Sequence, residues 1–174
     1  APGPGQLMRQ ILKNHTNVAS RYLKIGEGGI YRKPTAVQTV LGSCVSVTFH
    51  VPAHGLGAMF HAFMPNPLSD ADRVSERYKF VSTAVETVVS SLVSNGVHRR
   101  QIECKVFGGA NALLEGEYGV GKKNARQAFE ALEHCGLSVL VSSIGGTRGR
   151  KILFLTHTGE VFLKYLDKRS SLAA

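Results

Sequence analysis

The chain has 174 residues, 43% of them hydrophobic and 19% charged; that length and composition suit one globular domain with a core of its own and exclude a disordered chain. The formal charge of +9 raises nucleic acid, but the basic residues fall in small groups at Lys122-Lys123, 148–151 and Lys168-Arg169 with no aromatic platform among them, which points to acidic protein surfaces instead. Three widely spaced cysteines, Cys44, Cys104 and Cys135, speak against a disulfide framework and a paired-cysteine zinc site, and no charged leader or long apolar run signals secretion or membrane insertion.

Residues 1–5 are rich in Pro and Gly and are expected to lack order, and the spacing of Leu7, Met8, Ile11 and Leu12 supports a short helix within 6–23. Short strands are expected at 22–25 and 28–31, and a longer one at 36–41 that runs into Gly42-Ser43-Cys44. Residues 44–51 alternate as a strand, 52–55 form a turn, and 56–64 read as the partner strand of a hairpin. Pro65-Asn66-Pro67 stops it, and Ser69-Asp70 can cap a helix. Val74, Tyr78, Val81, Val85, Val88 and Leu92 recur at steps of three and four, the strongest helical signal in the chain, and Asn95-Gly96 ends it.

A strand at 102–107 closes on Gly108-Gly109, a second long helix spans 122–134 with Gly136 as its stop, and further strands lie at 137–144, 151–156 and 161–165. This order predicts an α/β sandwich: one domain over 22–168, with mixed sheets covered by two long helices, an extension at 1–21 and a flexible tail at 169–174. Glycines cluster at 26–29, 108–109, 116–121 and 145–146, which suggests tight turns gathered at a common site.

The chemistry concentrates on Cys44 and His61. The thiol comes after a Gly-Ser turn, where Gly42 permits close backbone approach and the amides of Ser43 and Cys44 can face a developing negative charge. A thiol near its ordinary pKa needs a base, and His61, a polar ring inside the apolar run 57–64, is the best candidate. The hairpin brings these two positions, 17 apart in sequence, onto neighbouring strands.

Thr39 to Cys44 and Gly57 to Pro65 resemble the active-site signature of the CheD family, chemoreceptor glutamine deamidases of bacterial chemotaxis. Lys105 to Ala110, Gly121 to Asn124, Gly145 to Arg150 and Thr158 to Val161 resemble that family's further motifs in the same order, with Lys122-Lys123 standing where an arginine is expected beside Asn124. The resemblance implies deamidation of glutamine side chains on methyl-accepting chemoreceptors by a cysteine nucleophile, without cofactor or metal, in the cytoplasm, and docking to the CheC phosphatase. It also implies a threonine about six positions before the cysteine to orient the imidazole. That position is Gln38, and Thr39 is one step closer; successive strand residues face opposite ways, so only one can reach His61. Gly108, Gly109, Asn111 and Thr147 are candidates to line the cleft, whereas Arg148 and Arg150 read as a solvated turn or a contact to an acidic surface. The same two residues, Cys44 and His61, would also serve a peptidase or an acyltransferase, and a chiefly CheC-binding module is the other alternative.

Overall fold

The structure is a computed structural model that describes residues 3–111 and 119–167. Two sheets face each other. The first contains β1 (Ala19–Tyr22), β3 (Thr35–Leu41), β8 (Arg150–Leu155) and β9 (Val161–Tyr165) in that order. The second contains β2 (Gly28–Tyr31), β5 (Leu56–Phe60), β4 (Val45–Val51), β6 (Glu103–Gly108) and β7 (Val139–Ile144). β1 with β3 and β6 with β7 are parallel, and every other neighbouring pair is antiparallel.

β4 shows why the layers stack as they do. Every residue in it is buried, which a strand covered on only one face cannot achieve. Val45, Val47, Phe49 and Val51 join the core beneath α3 (Val81–Ser94) and α4 (Val120–His134), together with Val85, Val88, Leu92, Ala128 and Leu132. The intervening side chains point to the first sheet, where Cys44 packs with Met59 and Phe107 against Val37, Leu41, Ile152 and Phe154. On the far side of the first sheet, α1 (Pro4–Asn14) buries Met8 against Ala36, Leu153 and Leu155. The result is the expected α/β sandwich of mixed sheets with two long helices.

Several details differ from the sequence reading. The helical periodicity from Val74 to Leu92 is broken into α2 (Asp70–Ser75) and α3. Between them the chain is drawn out to bridge Met64 with Phe80, with Val81 N–H donating to the Met64 carbonyl at 2.8 Å and Phe63 N–H to the Lys79 carbonyl at 3.0 Å. These bonds offset the helical ones that are lost, and Val74 is left exposed. The regular strand expected over 56–64 ends at Phe60, and beyond it the register persists only as the bridge between Val45 and Ala62 and as His61 N–H donating to the Glu27 carbonyl at 2.9 Å. β1 begins at Ala19, ahead of the strand expected at 22–25, because Ala19 to Tyr22 pair with Thr35 to Gln38. α1 starts at Pro4, inside the stretch expected to lack order, where proline suits a first helical turn. The tail at 169–174, Ala1, Pro2 and Gly116 lie outside the described residues.

Candidate active site

The turn that carries Cys44 is clamped from two directions. Gly109 N–H donates to the Cys44 carbonyl at 2.9 Å and Ala110 N–H to the Gly42 carbonyl at 3.0 Å, so the end of β6 braces it from one side. From α4, the fully buried Asn124 sends its side-chain amide to the carbonyls of Ser43 at 3.0 Å and Phe63 at 3.1 Å. Asn124 thereby ties the turn before Cys44 to the segment after His61. The glycines are required by this closeness: Gly109 sits at φ +66°, and a Cβ there would lie 2.8 Å from the Gly121 carbonyl oxygen. Among the described residues no backbone carbonyl accepts from the amide of Ser43 or Cys44.

Sequence reasoning finds Asn124 only as part of a motif. Asparagine is a poor helix former, and its place inside a helix otherwise rich in alanine and long side chains is the available signal.

The bridge between Val45 and Ala62, with N–H to carbonyl distances of 2.9 and 3.0 Å each way, sets the relation of Cys44 to His61. Each lies next to the bridged pair, so both side chains point to the opposite face from Val45 and Ala62, into the space between the sheets. They are diagonal cross-strand neighbours, with Phe63 directly opposite Cys44. Cys44 is 2% exposed and His61 3%.

Across the intersheet space stands Thr39. Its hydroxyl lies 2.7 Å from His61 Nδ1 and donates to the Leu23 carbonyl at 2.8 Å. The hydroxyl has one proton, and the carbonyl takes it; the imidazole must therefore donate from Nδ1–H, which leaves the lone pair on Nε2. Nε2 itself is buried and has no partner among the described residues. Gln38 is on the opposite face of β3, the side covered by α1, so Thr39 is the neighbour of His61.

Burial sets the protonation states. Desolvation pushes the Cys44 thiol up to about 11 and lowers His61 to about 4, against a small upward pull from the Leu23 carbonyl. Burial disfavours the charged form of each group, and so favours thiol plus neutral imidazole over the ion pair. The neutral pair is the resting state.

The buried ring also makes stability depend on pH. An unfolded histidine takes its proton near 6.5, and folded His61 does so near 4. Between these values the unfolded chain binds a proton that the native state refuses, so stability rises with pH across that window and is lost as pH falls through it. Urea denaturation at pH 7 and near pH 4 should show wild type losing about 3 kcal/mol more than His61→Gln. Equal losses in the two proteins would contradict this environment for the ring.

The remaining candidates divide between the rim of this site and more distant places. Gly108 accepts from Gly145 N–H at 3.0 Å, and Asn111 N–H donates to the Gly146 carbonyl at 2.9 Å, so the 145–146 turn joins the loop beside Cys44. Thr147 is exposed on that turn and makes no hydrogen bond to the Cys44 segment among the described residues. Arg150, expected at the surface, is buried: it opens β8, donates to Ser143 Oγ at 3.0 Å and lies over the Tyr165 ring at 5.2 Å. Arg148 is exposed and holds the Leu166 carbonyl at 2.9 Å. A surface cavity of about 450 Å³ opens beside the site, bordered by Ile25, Gly26, Phe63, Arg77 and Lys79. Among the described residues, no group of three or more His, Cys, Asp or Glu side chains is placed to hold a metal ion.

Residues 63–165 match the family model described as CheD chemotactic sensory transduction. The chain belongs to the CheD family. A relative from Geobacter sulfurreducens, "Probable chemoreceptor glutamine deamidase CheD 2", is 39% identical over 88% of this CheD chain and 94% of its own length. The probable chemoreceptor glutamine deamidase CheD of Oleidesulfovibrio alaskensis is 40% identical over 86% of this chain and 74% of its own. That of Maridesulfovibrio salexigens is 35% identical over 90% and 97%. Among solved structures, the hypothetical protein YfiH of Bacillus licheniformis aligns with 70% of the CheD chain and 51% of its own at a TM-score of 0.46 and 12% identity, a distant likeness.

Proposed function

We propose that this CheD family chain hydrolyses the side-chain amide of glutamine residues on chemoreceptors, with Cys44 as nucleophile, His61 as its base and Thr39 orienting the imidazole. The observation that carries the reading is the Thr39–His61 bond at 2.7 Å, which leaves the imidazole lone pair on Nε2 of a residue that is the diagonal cross-strand neighbour of Cys44. Because the resting pair is neutral, proton transfer from Sγ to Nε2 accompanies attack rather than preceding it. Sulfur bonds to the amide carbon, and the carbonyl oxygen takes up the negative charge. The Ser43 and Cys44 amides, which no backbone carbonyl takes up among the described residues, are the donors for that oxygen in this reading. The imidazolium then passes its proton to the departing nitrogen, the C–N bond breaks, and ammonia leaves a thioester. Water attacks the thioester, its proton goes to Nε2, the C–S bond breaks and glutamate is released.

Substrate approaches from the cavity bordered by Phe63, Glu76, Arg77 and Lys79; Lys79 pairs with Glu76 at 2.8 Å, so the rim's net positive charge comes from Arg77, which suits an acidic receptor surface. Cys44 is nearly covered at rest, so docking must part the lining at Phe63. The receptor face involved is cytoplasmic in this reading; no helix among the described residues is long and apolar enough to cross a membrane. Docking of a CheC phosphatase belongs to the same proposal, and such a partner would compete with receptor for this cleft.

The test is intact-mass analysis of a glutamine-bearing chemoreceptor fragment incubated with the protein. A gain of about one dalton per modified glutamine, with ammonia released in equal amount, is expected. Cleaved fragments in place of that gain would make the dyad a peptidase.

A further inference from the structure

Ser46 is fully buried, and its hydroxyl oxygen has no hydrogen-bond partner among the described residues. It lies two positions after Cys44, so both side chains point into the intersheet space. β4 pairs Thr48 with Met59, and beyond β5 Val45 pairs with Ala62; the register is continuous between them and sets Ser46 directly opposite His61. On its other side Ser46 pairs with Phe107 of β6, an apolar neighbour with nothing to offer a hydroxyl.

Two polar atoms, Ser46 Oγ and His61 Nε2, are therefore buried, unpartnered and carried by opposed positions of adjacent chain segments. Directly opposed residues of this kind have Cβ atoms about 5 Å apart, a span that one water molecule or one polar substrate atom can bridge. A buried group without a partner costs about 1–3 kcal/mol, and alanine at 46 would avoid that cost. A hydroxyl kept there calls for a polar ligand shared with the imidazole.

We propose that Ser46 is a catalytic residue of the hydrolytic half-reaction, holding with His61 Nε2 the water that attacks the Cys44 thioester. This role rests on Cys44 and His61 acting as nucleophile and base. The water donates one hydrogen to Nε2 and the other to Ser46 Oγ, which aims its oxygen lone pair at the thioester carbon. As the C–O bond forms, the proton moves to Nε2, the C–S electron pair returns to Sγ, and the thiol is restored by the imidazolium. Ser46 takes no part in the first half-reaction, in which the bond to sulfur forms and ammonia departs.

The two halves separate the outcomes. Rapid-quench measurement with Ser46→Ala and the chemoreceptor fragment should show the first equivalent of ammonia released at the wild-type rate. Later turnover should be slowed about 10-fold, and a Cys44 adduct of enzyme plus fragment less ammonia should accumulate. Hydroxylamine, which attacks thioesters without a positioned water, should restore turnover of Ser46→Ala and yield the hydroxamate. Unchanged steady-state turnover would overturn the proposal, and so would an equal loss of the first and later turnovers that hydroxylamine does not relieve. If wild type itself released no ammonia and formed no adduct, the underlying roles of Cys44 and His61 would fail instead, and that of Ser46 with them.

Discussion

Cys44→Ala is expected to leave the fold in place and to lower ammonia release from chemoreceptor fragments by about 10^4-fold or more. The size of the effect comes from the absence of a substitute. The other two cysteines do not share its surroundings: Cys104 faces the helix layer and Cys135 caps α4. Ser43, its immediate neighbour, has its carbonyl held by Asn124 and would need a base for its hydroxyl. Loss of one sulfur from a packed site should cost about 1 kcal/mol of stability, far less than the catalytic loss. Ammonia release and a urea melt on the same preparation separate the two. Retained turnover in a folded Cys44→Ala protein would remove the sulfur from the mechanism.

The second large effect is expected from a residue with no side chain. Gly108 sits at φ +109°, where a Cβ would run into the Cys44 carbonyl. It also pairs with Val45 on one side and Ile144 on the other, so neither neighbour can retreat without breaking a ladder. Gly108→Ala should therefore cost about 3–5 kcal/mol from backbone strain and displacement together. Gly145→Ala is the matched control: its φ of +78° is also unfavourable, but nothing lies within 4 Å of the added Cβ. It should cost about 1 kcal/mol. Denaturation midpoints of the two variants would settle the comparison, and equal losses would show that conformation alone, not collision with the Cys44 turn, restricts Gly108.

Alternation and turn residues make the hairpin legible. Val45, Val47 and Phe49 alternate with polar residues, Pro52 and Gly55 turn the chain, and Cys44 and His61 are thereby set on adjoining segments. Sheet order is not legible, because β3 leads from the first sheet directly into β4 of the second and no local pattern marks that change. It is this crossing that sets Thr39 opposite His61 and leaves Gln38 under α1, so the choice between them needs the three-dimensional structure. Periodicity misleads at Val74 and Tyr78, which keep helical spacing although Phe80 is drawn into a bridge with Met64. Asn124 and Arg150 are hidden for a related reason. Each serves a backbone carbonyl far away in sequence, Ser43 for one and Gly108 for the other at 3.4 Å, and such bonds leave no periodic trace.

The burial of Cys44 has a chemical corollary. Peroxide and alkylating agents react with ionised sulfur, and a thiol whose pKa stands at about 11 presents very little of it near neutrality. In the idle protein the sulfur is thus shielded from electrophiles that consume exposed, acidic cysteines, and under the proposed mechanism its reactivity is reserved for a carbonyl delivered beside the imidazole.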